Sequence, residues 1–366
     1  MCGGLGADRL VGGRGDDALH GGLDKHRNLG HGQIMVTGDV LDGGPGDDLL
    51  DAQADYGRHE AVVRLDTVTY RRSRAGVTVD LRAGTGRGEG QDTIVRVDRL
   101  KVVGSGFDDE LKGSSLQEFL VGGAGDDGLA GRGGADVLMD SAGDDTLAGG
   151  PGSDFVIGLH GTDTLSGAAG PDLLAGVGRK PATVHGGRGP DYVAAALDPA
   201  GNDVLDGGPG RNQVSLQAPE DSAATVDRAA GTAVAQSGST SSTAAFSNFS
   251  GFTLSGGGTW SYTGTGARDF VEVYGGALDA TTLGGDDVMH GDTGDDSLDG
   301  GDGTDEAWGG KGTNTCLNDE RGTCNGTVQA IPAAGRILST SPDAGFARSI
   351  PAVRRVLATY APGILR

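Results

Sequence analysis

At 366 residues the chain could hold two ordinary domains, but 72 glycines and 4% aromatic residues exclude ordinary globular cores. A formal net charge of −22 excludes nucleic acid and anionic membrane surfaces as general partners. No apolar run is long enough to span a membrane.

In chain order, Gly3 begins a nine-residue unit, GGLGADRLV, and GGRGDDALH follows from Gly12. No basic stretch or apolar leader stands before them, so the chain is expected to begin inside a repeat array. Residues 21–42 are degenerate, and GGPGDDLLD from Gly43 restores the unit, giving a first array over 1–51. His26 and His31 near Asp24 are read as solvated loop side chains rather than a transition-metal site. Between 52 and 103 the repeat stops. Alternating apolar runs such as Val77–Leu81, with Val68–Tyr70 before and Ile94–Leu100 after, predict a β-rich insertion.

From Gly104 to Ala175 eight units run without a slip: GSGFDDELK, GSSLQEFLV, GGAGDDGLA, GRGGADVLM, DSAGDDTLA, GGPGSDFVI, GLHGTDTLS and GAAGPDLLA. The sixth place is always acidic: Asp109, Glu118, Asp127, Asp136, Asp145, Asp154, Asp163 and Asp172. The eighth place is always a branched aliphatic: Leu111, Leu120, Leu129, Leu138, Leu147, Val156, Leu165 and Leu174. Glycines at the first, second and fourth places permit sharp turning. The last three residues suit a very short strand with its middle side chain buried. The seventh place varies and is expected to face outward. These 72 residues carry 13 acidic and two basic side chains, half of the chain's net charge.

The units continue in a central array over 104–215, placing Asp191 and Asp203 at sixth positions. A second β-rich insertion, 216–263, echoes the first: Ala224-Thr225-Val226-Asp227 against Val77-Thr78-Val79-Asp80, and Ala230-Gly231-Thr232 against Ala83-Gly84-Thr85. A third array over 264–317 carries Asp269, Asp287, Asp296 and Asp305 at sixth places. It then decays, with Ala307 and Cys316 at core places and Asn314 in place of the acid. Residues 318–366 form a cap and an Ala/Arg/Pro tail, in which 349–360 has the spacing of one short amphipathic helix.

The pattern G-G-x-G-x-D-x-U-x resembles the RTX, or haemolysin-type calcium-binding, nonapeptide repeat. The resemblance implies an all-β fold, a parallel β-roll or β-helix solenoid in which two nonads make one turn. Alternate nonads then stack on the same edge. It also implies bound Ca²⁺, several ions per chain, and a secreted or cell-surface protein. The metal-binding residues carried over are the first-array Asp8, Asp17 and Asp48, the central Asp109, Asp127, Asp136, Asp145, Asp154, Asp163, Asp172, Asp191 and Asp203, and the third-array Asp269, Asp287, Asp296 and Asp305.

Stacked carboxylates about 4.8 Å apart repel one another, and hard oxygen ligands at that density suit Ca²⁺, which takes about 6–8 of them. Burial of one leucine per nonad yields about 1.5–3 kcal/mol, less than the cost of ordering nine residues. Metal binding is therefore expected to be part of the folding free energy. The fifth-place acids, such as Asp144, are expected to contribute mainly charge rather than ladder geometry.

A GxGxxG match at Gly123–Gly128 is produced by the repeat itself, and no catalytic constellation stands out. The reading is a non-enzymatic calcium-binding protein whose fold is driven by Ca²⁺. Two alternatives are weighed against it. One is the C-terminal calcium module of a secreted hydrolase, protease or epimerase; the other is a calcium-independent solenoid adhesin, which mixed seventh places disfavour. No protein or polysaccharide partner is assigned. Cys316 and Cys324, eight residues apart where the repeats end, are expected to form a disulfide that closes the cap, leaving Cys2 free or paired with sequence outside this chain.

Overall fold

The computed structural model describes residues 1–324 apart from 5, 23–35, 53–63, 96–99, 179, 198–200, 257 and 320. The histidine pair and the 349–360 segment lie outside the described residues. The described residues are all-β, without a helix among them. They fall into two compact units divided between Ala168 and Ala169.

In the first unit each nonad ends in a strand of about three residues, and alternate nonads feed opposite sheets. Glu110–Lys112, Gly128–Ala130 and Thr146–Pro151 pair in parallel in one sheet, with Leu111, Leu129 and Leu147 in register. Phe119–Val121, Val137–Met139 and Phe155–Gly158 pair in parallel in the other, with Leu120, Leu138 and Val156 in register. These six eighth-place side chains are at most 2% exposed. Because strand side chains alternate between faces, placing the bulky aliphatic in the middle of each strand is what builds this core.

The same alternation puts places seven and nine on the outer faces, and here the structure differs from the expectation. In the first sheet Glu110, Thr146 and Thr164 are exposed, as expected. In the second sheet Phe119, Val137 and Phe155 are buried, together with ninth-place Met139 and Ile157. The outer face of the second sheet is apolar and covered.

The insertion at 52–103 widens one coil without breaking the sheet. Leu49–Asp51 pairs in parallel with Gln91–Val95, which pairs antiparallel with Thr85–Arg87, which pairs antiparallel with Thr78–Asp80, which pairs in parallel with Glu110–Lys112. Asp80 initiates the connecting turn by accepting a hydrogen bond from the Ala83 N–H (3.0 Å). Gly84 closes the turn at φ 66°, where a side chain would also meet the Ile94 carbonyl.

The second unit repeats this plan within itself. Asn202–Asp206 pairs in parallel with Thr240–Ser247, then antiparallel steps lead through Thr232–Ser237 to Ala223–Asp227, which pairs in parallel with Thr259–Thr265. Asp227 accepts from the Ala230 N–H (2.9 Å), and Gly231 stands at φ 68°. The sequence echo between the two insertions is therefore an echo of topology and turn chemistry. Cys316 and Cys324 form a disulfide with a Cα–Cα distance of 5.7 Å, and Cys2 is free and exposed.

Many second-place residues take positive φ, and three of these are not glycine: Arg132 (72°), Ala168 (76°) and Leu283 (72°). Arg132 has a compensating role. Its guanidinium grips Asp80 through two 2.8 Å hydrogen bonds and donates to the Gly113 carbonyl, tying the insertion to the array. That grip holds the Asp80 carboxyl down to about 2. Arg132→Gly removes the ion pair and the bond to Gly113 while relieving the backbone strain, whereas Arg132→Ala removes both bonds and keeps a Cβ in a left-handed conformation that costs about 1 kcal/mol. Calcium-saturated thermal melts are expected to rank wild type above Gly above Ala; an Ala variant at least as stable as the Gly variant would contradict the strain.

Candidate metal centre

Along Gly104–Ala175 each sixth-place acid stands just before its strand, at the junction with the loop. On one edge of the first unit the Asp109 N–H donates to Asp127 Oδ1 (2.8 Å), Asp127 N–H to Asp145 Oδ1 (2.7 Å) and Asp145 N–H to Asp163 Oδ1 (3.2 Å). On the other edge Glu118 N–H donates to Asp136 Oδ1 and Asp136 N–H to Asp154 Oδ1, both at 2.8 Å. In the second unit Asp172 donates in the same way to Asp191, Asp269 to Asp287, and Asp287 to Asp305. Every one of these carboxylates is buried.

One oxygen of each side chain thus serves the next turn's backbone. The other, Oδ2, is packed against the first-place glycine of its own nonad. A Cβ on Gly122 would stand 2.3 Å from Asp127 Oδ2, one on Gly131 2.4 Å from Asp136 Oδ2, and one on Gly291 2.1 Å from Asp296 Oδ2. These first-place glycines do not adopt positive φ. Close approach of the carboxylate, rather than backbone conformation, is what demands glycine there. This corrects the expectation from sequence.

Among the described residues Oδ2 of Asp8, Asp48, Asp127, Asp136, Asp145, Asp191, Asp287 and Asp296 accepts no hydrogen bond although it is buried. Two natural replacements reveal what surrounds that position. Asn212 stands at a sixth place, and its Oδ1 accepts from the Asp191 N–H just as an aspartate would. Its Nδ2 donates to the carbonyls of Gly208 (2.8 Å) and Asn248 (3.1 Å). Asn314 likewise accepts from Asp296 through Oδ1 and donates through Nδ2 to the Cys324 carbonyl (3.0 Å). An amide nitrogen therefore finds only acceptors around it. Where aspartate takes that place with no donor on Oδ2, as at Asp191, Asp287 and Asp296, an all-oxygen pocket of this kind suits a hard cation; Asp109 and Glu118 differ, since their second oxygens accept from the Ser105 and Ser114 N–H groups.

The electrostatics agree. Burial pushes Asp136 up to about 8, Asp154 to about 7, and Asp127, Asp191, Asp287 and Asp296 to about 6, with neighbouring carboxylates adding to the rise at Asp127, Asp136, Asp287 and Asp296. No cationic side chain among the described residues pairs with Asp109, Asp127, Asp136 or Asp145. Asp269 is the contrast, because Arg228 and the Tyr262 hydroxyl occupy its Oδ1 and the Thr265 N–H its Oδ2.

The remaining sequence-derived residues also fall on these ladders. Asp8 and Asp17 are half-buried near the start of the first array, and their N–H groups donate to Asp39 and Asp48. Asp203 is buried and accepts from the Ala182 N–H. The ladder has members that the sequence reading left out: Asp39 accepts from Asp8, Asp66 from Asp39, and Asp92 from Asp48. Their spacings are 31, 27 and 44 residues instead of 18. Each nevertheless stands two residues before a buried aliphatic, Leu41, Val68 and Ile94, and that D-x-U signature would have found them.

Fifth-place acids form a second, exposed ladder running the opposite way. Asp126 N–H donates to Asp108 Oδ1, Asp144 N–H to Asp126 Oδ1, and Thr162 N–H to Asp144 Oδ1, at 2.8–2.9 Å. Asp144, expected to contribute mainly charge, thus also takes part in ladder geometry. One departure from the repeat adds a further group. Asp140 occupies a first place, and one carboxylate oxygen from each of Asp127, Asp140 and Asp145 lies within 4.8 Å of the other two.

The RTX calcium-binding nonapeptide repeat model matches residues 3–25, 38–56, 103–138, 140–174, 200–215 and 281–316. The chain carries RTX calcium-binding repeats from its first array to its third. No curated protein matches the chain.

The close approach at the first place is open to a paired test. Gly131→Ala pushes a methyl into Asp136 Oδ2 and the Gly149 carbonyl, whereas an added Cβ at Gly128 meets nothing nearer than 3.8 Å. Denaturant unfolding in calcium is expected to show Gly131→Ala destabilised by about 1–3 kcal/mol and Gly128→Ala unchanged or slightly stabilised. Equal effects at the two positions would remove the argument.

Proposed function

We propose that this chain, built on RTX calcium-binding repeats, is a secreted or cell-surface protein whose fold is created by Ca²⁺, with the ladder carboxylates as ligands. The observation that carries the reading is the all-acceptor surroundings of Oδ2, exposed by the way Asn212 and Asn314 fill the same place with an N–H donor. Bound calcium supplies positive charge and oxygen coordination at a position that otherwise accumulates buried negative charge. The ligand set is Asp8, Asp17, Asp48, Asp109, Asp127, Asp136, Asp145, Asp154, Asp163, Asp172, Asp191, Asp203, Asp287, Asp296 and Asp305. Asp269 belongs to it only where Arg228 is displaced.

Magnitudes support coupling to folding. Two like charges about 4.8 Å apart repel by about 3 kcal/mol at an effective dielectric constant of about 20. The Asp109, Asp127, Asp145 and Asp163 edge contains three such neighbour pairs, so roughly 10 kcal/mol opposes the charged ladder, comparable to the whole stability of a domain. On this edge burial raises Asp127 to about 6, still below neutral pH, so proton uptake offsets little of this. Ions shared between turns also make binding cooperative along an edge.

Far-UV circular dichroism against free calcium tests the reading. The wild type is expected to be disordered in chelator, to fold cooperatively with calcium, and to respond poorly to magnesium, which demands stricter geometry. A chain already β-rich in chelator, or equally ordered by magnesium, would refute calcium-driven folding. Two substitutions at one rung separate the roles of the carboxylate. Asp145→Ala removes the acceptor for Asp127 N–H and is expected to raise the calcium midpoint more than Asp8→Ala at the half-buried end. Asp145→Asn keeps the acceptor and offers N–H donors where Asn212 does, so it is expected to bind fewer ions yet to be more ordered than wild type in chelator.

A further inference from the structure

We propose that Asp140 builds a calcium site of its own, different in kind from the repeated ones, in which three carboxylates from two stacked turns and the crossing between them close on one ion. The inference rests on the calcium reading above and adds to it a residue that the repeat pattern does not assign.

Across Gly104–Ala175 the first place is glycine in seven of the eight nonads and Asp140 in the other. Its carboxylate is fully buried, its Oδ1 accepts from the Gly123 N–H (3.2 Å), and its Oδ2 has no hydrogen-bond partner. It enters the space above Gly122 that Asp127 already uses. A Cβ built on Gly122 would meet Asp127 Oδ2 at 2.3 Å and Asp140 Oδ1 at 2.6 Å. Asp145, on the next turn of the same edge, completes the group.

The three side chains share one pattern. Each spends Oδ1 on a backbone N–H, those of Asp109, Gly123 and Asp127, and leaves Oδ2 without a donor. Oxygens sharing one Ca²⁺ at about 2.3–2.6 Å stand no more than about 5 Å apart, which the 4.8 Å grouping satisfies. A donor set of carboxylate oxygens alone selects a hard cation over zinc or copper. Placing a third carboxylate where the repeat has glycine adds a full charge to the site, and ligand charge is the main determinant of calcium affinity in oxygen cages. The site is therefore the tightest in the first unit and the one that fills first, so that folding starts at the Asp127–Asp145 turns.

Isothermal titration of the full chain with calcium, for wild type, Asp140→Gly and Asp140→Asn, tests this. Glycine restores the repeat's own residue, so Asp140→Gly is expected to reach the wild-type circular dichroism spectrum at saturating calcium. The wild-type isotherm is expected to contain a tight class of about one ion, weakened at least tenfold in Asp140→Gly with the weaker class intact. Asp140→Asn, which keeps the shape and loses the charge, is expected to fall between them. Superimposable wild-type and Asp140→Gly isotherms would overturn the Asp140 site while leaving calcium binding in place. A wild type that takes up no calcium would instead fail the underlying reading, and this site with it.

Discussion

The bond on which the structure depends runs from a backbone N–H at the sixth place to the carboxylate of the acid one turn further on. A turn of 18 residues contains two strands of about three residues each and two glycine-rich loops, so most of its backbone lies outside strand pairing. The sixth-place N–H is buried at the loop–strand junction, where an unpaired donor would cost about 1–3 kcal/mol. The acid of the adjacent turn satisfies it, and that acid is buried in consequence. Short, charge-assisted bonds of this kind are stronger than neutral ones. They also fix register, since a slip of one residue would bring a seventh-place N–H to the carboxylate and turn every core leucine outward.

Two further features follow from that bond. The inward carboxylate needs room, and the first-place glycine supplies it, so positions one and six form a single steric unit. At Asn212 and Asn314 the atom that stands for the carboxylate's second oxygen faces backbone carbonyls, so an aspartate there sets a further acceptor beside them. The amides of Asn212 and Asn314 meet those carbonyls with N–H donors, while Arg228 at Asp269 pairs with the other oxygen, Oδ1. These substitutions cluster beside the second insertion and at the disulfide-closed end, where a stacked neighbour nonad is missing or altered.

Much of the architecture was legible in the sequence because two independent periodicities coincide. The acid at place six and the aliphatic at place eight give the ladder and the core, and both stand where the pattern puts them. What was missed was missed for stated reasons. Seventh places read in nines look random, yet Gly128, Val137, Thr146, Phe155 and Thr164 alternate strictly between small or polar and apolar. The true repeat is 18 residues, and its two halves face different surroundings. Asp92 escaped because the wide coil changes the spacing while leaving the D-x-U unit intact, and Asp39 and Asp66, though in phase with Asp48, escaped because the glycine places of their nonads are degenerate. The reach of Asp144 to Thr162 was not legible, because an exposed acid next to a buried one gives no sign of which way its oxygen points.

The wide coils show how this scaffold accepts extra chain. Every strand flanking an insertion must run parallel to its neighbour and must meet a ladder acid. Three strands in place of one satisfy both demands, since two antiparallel steps restore the original direction. The ladder passes through the addition as well: Asp48 N–H donates to Asp92 on the entering side, and Val77 N–H donates to Asp109 on the leaving side. In the second unit Leu278 N–H donates to Asp296 although Leu278 itself occupies a sixth place, so even an apolar rung keeps the bond from its neighbour. A coil widened to two strands would present one flank in the wrong direction and leave its N–H groups without an acid. Direction therefore restricts insertions within a sheet to steps of one hairpin, and the turn chemistry of Asp80–Gly84 and Asp227–Gly231 is the local device that makes that step.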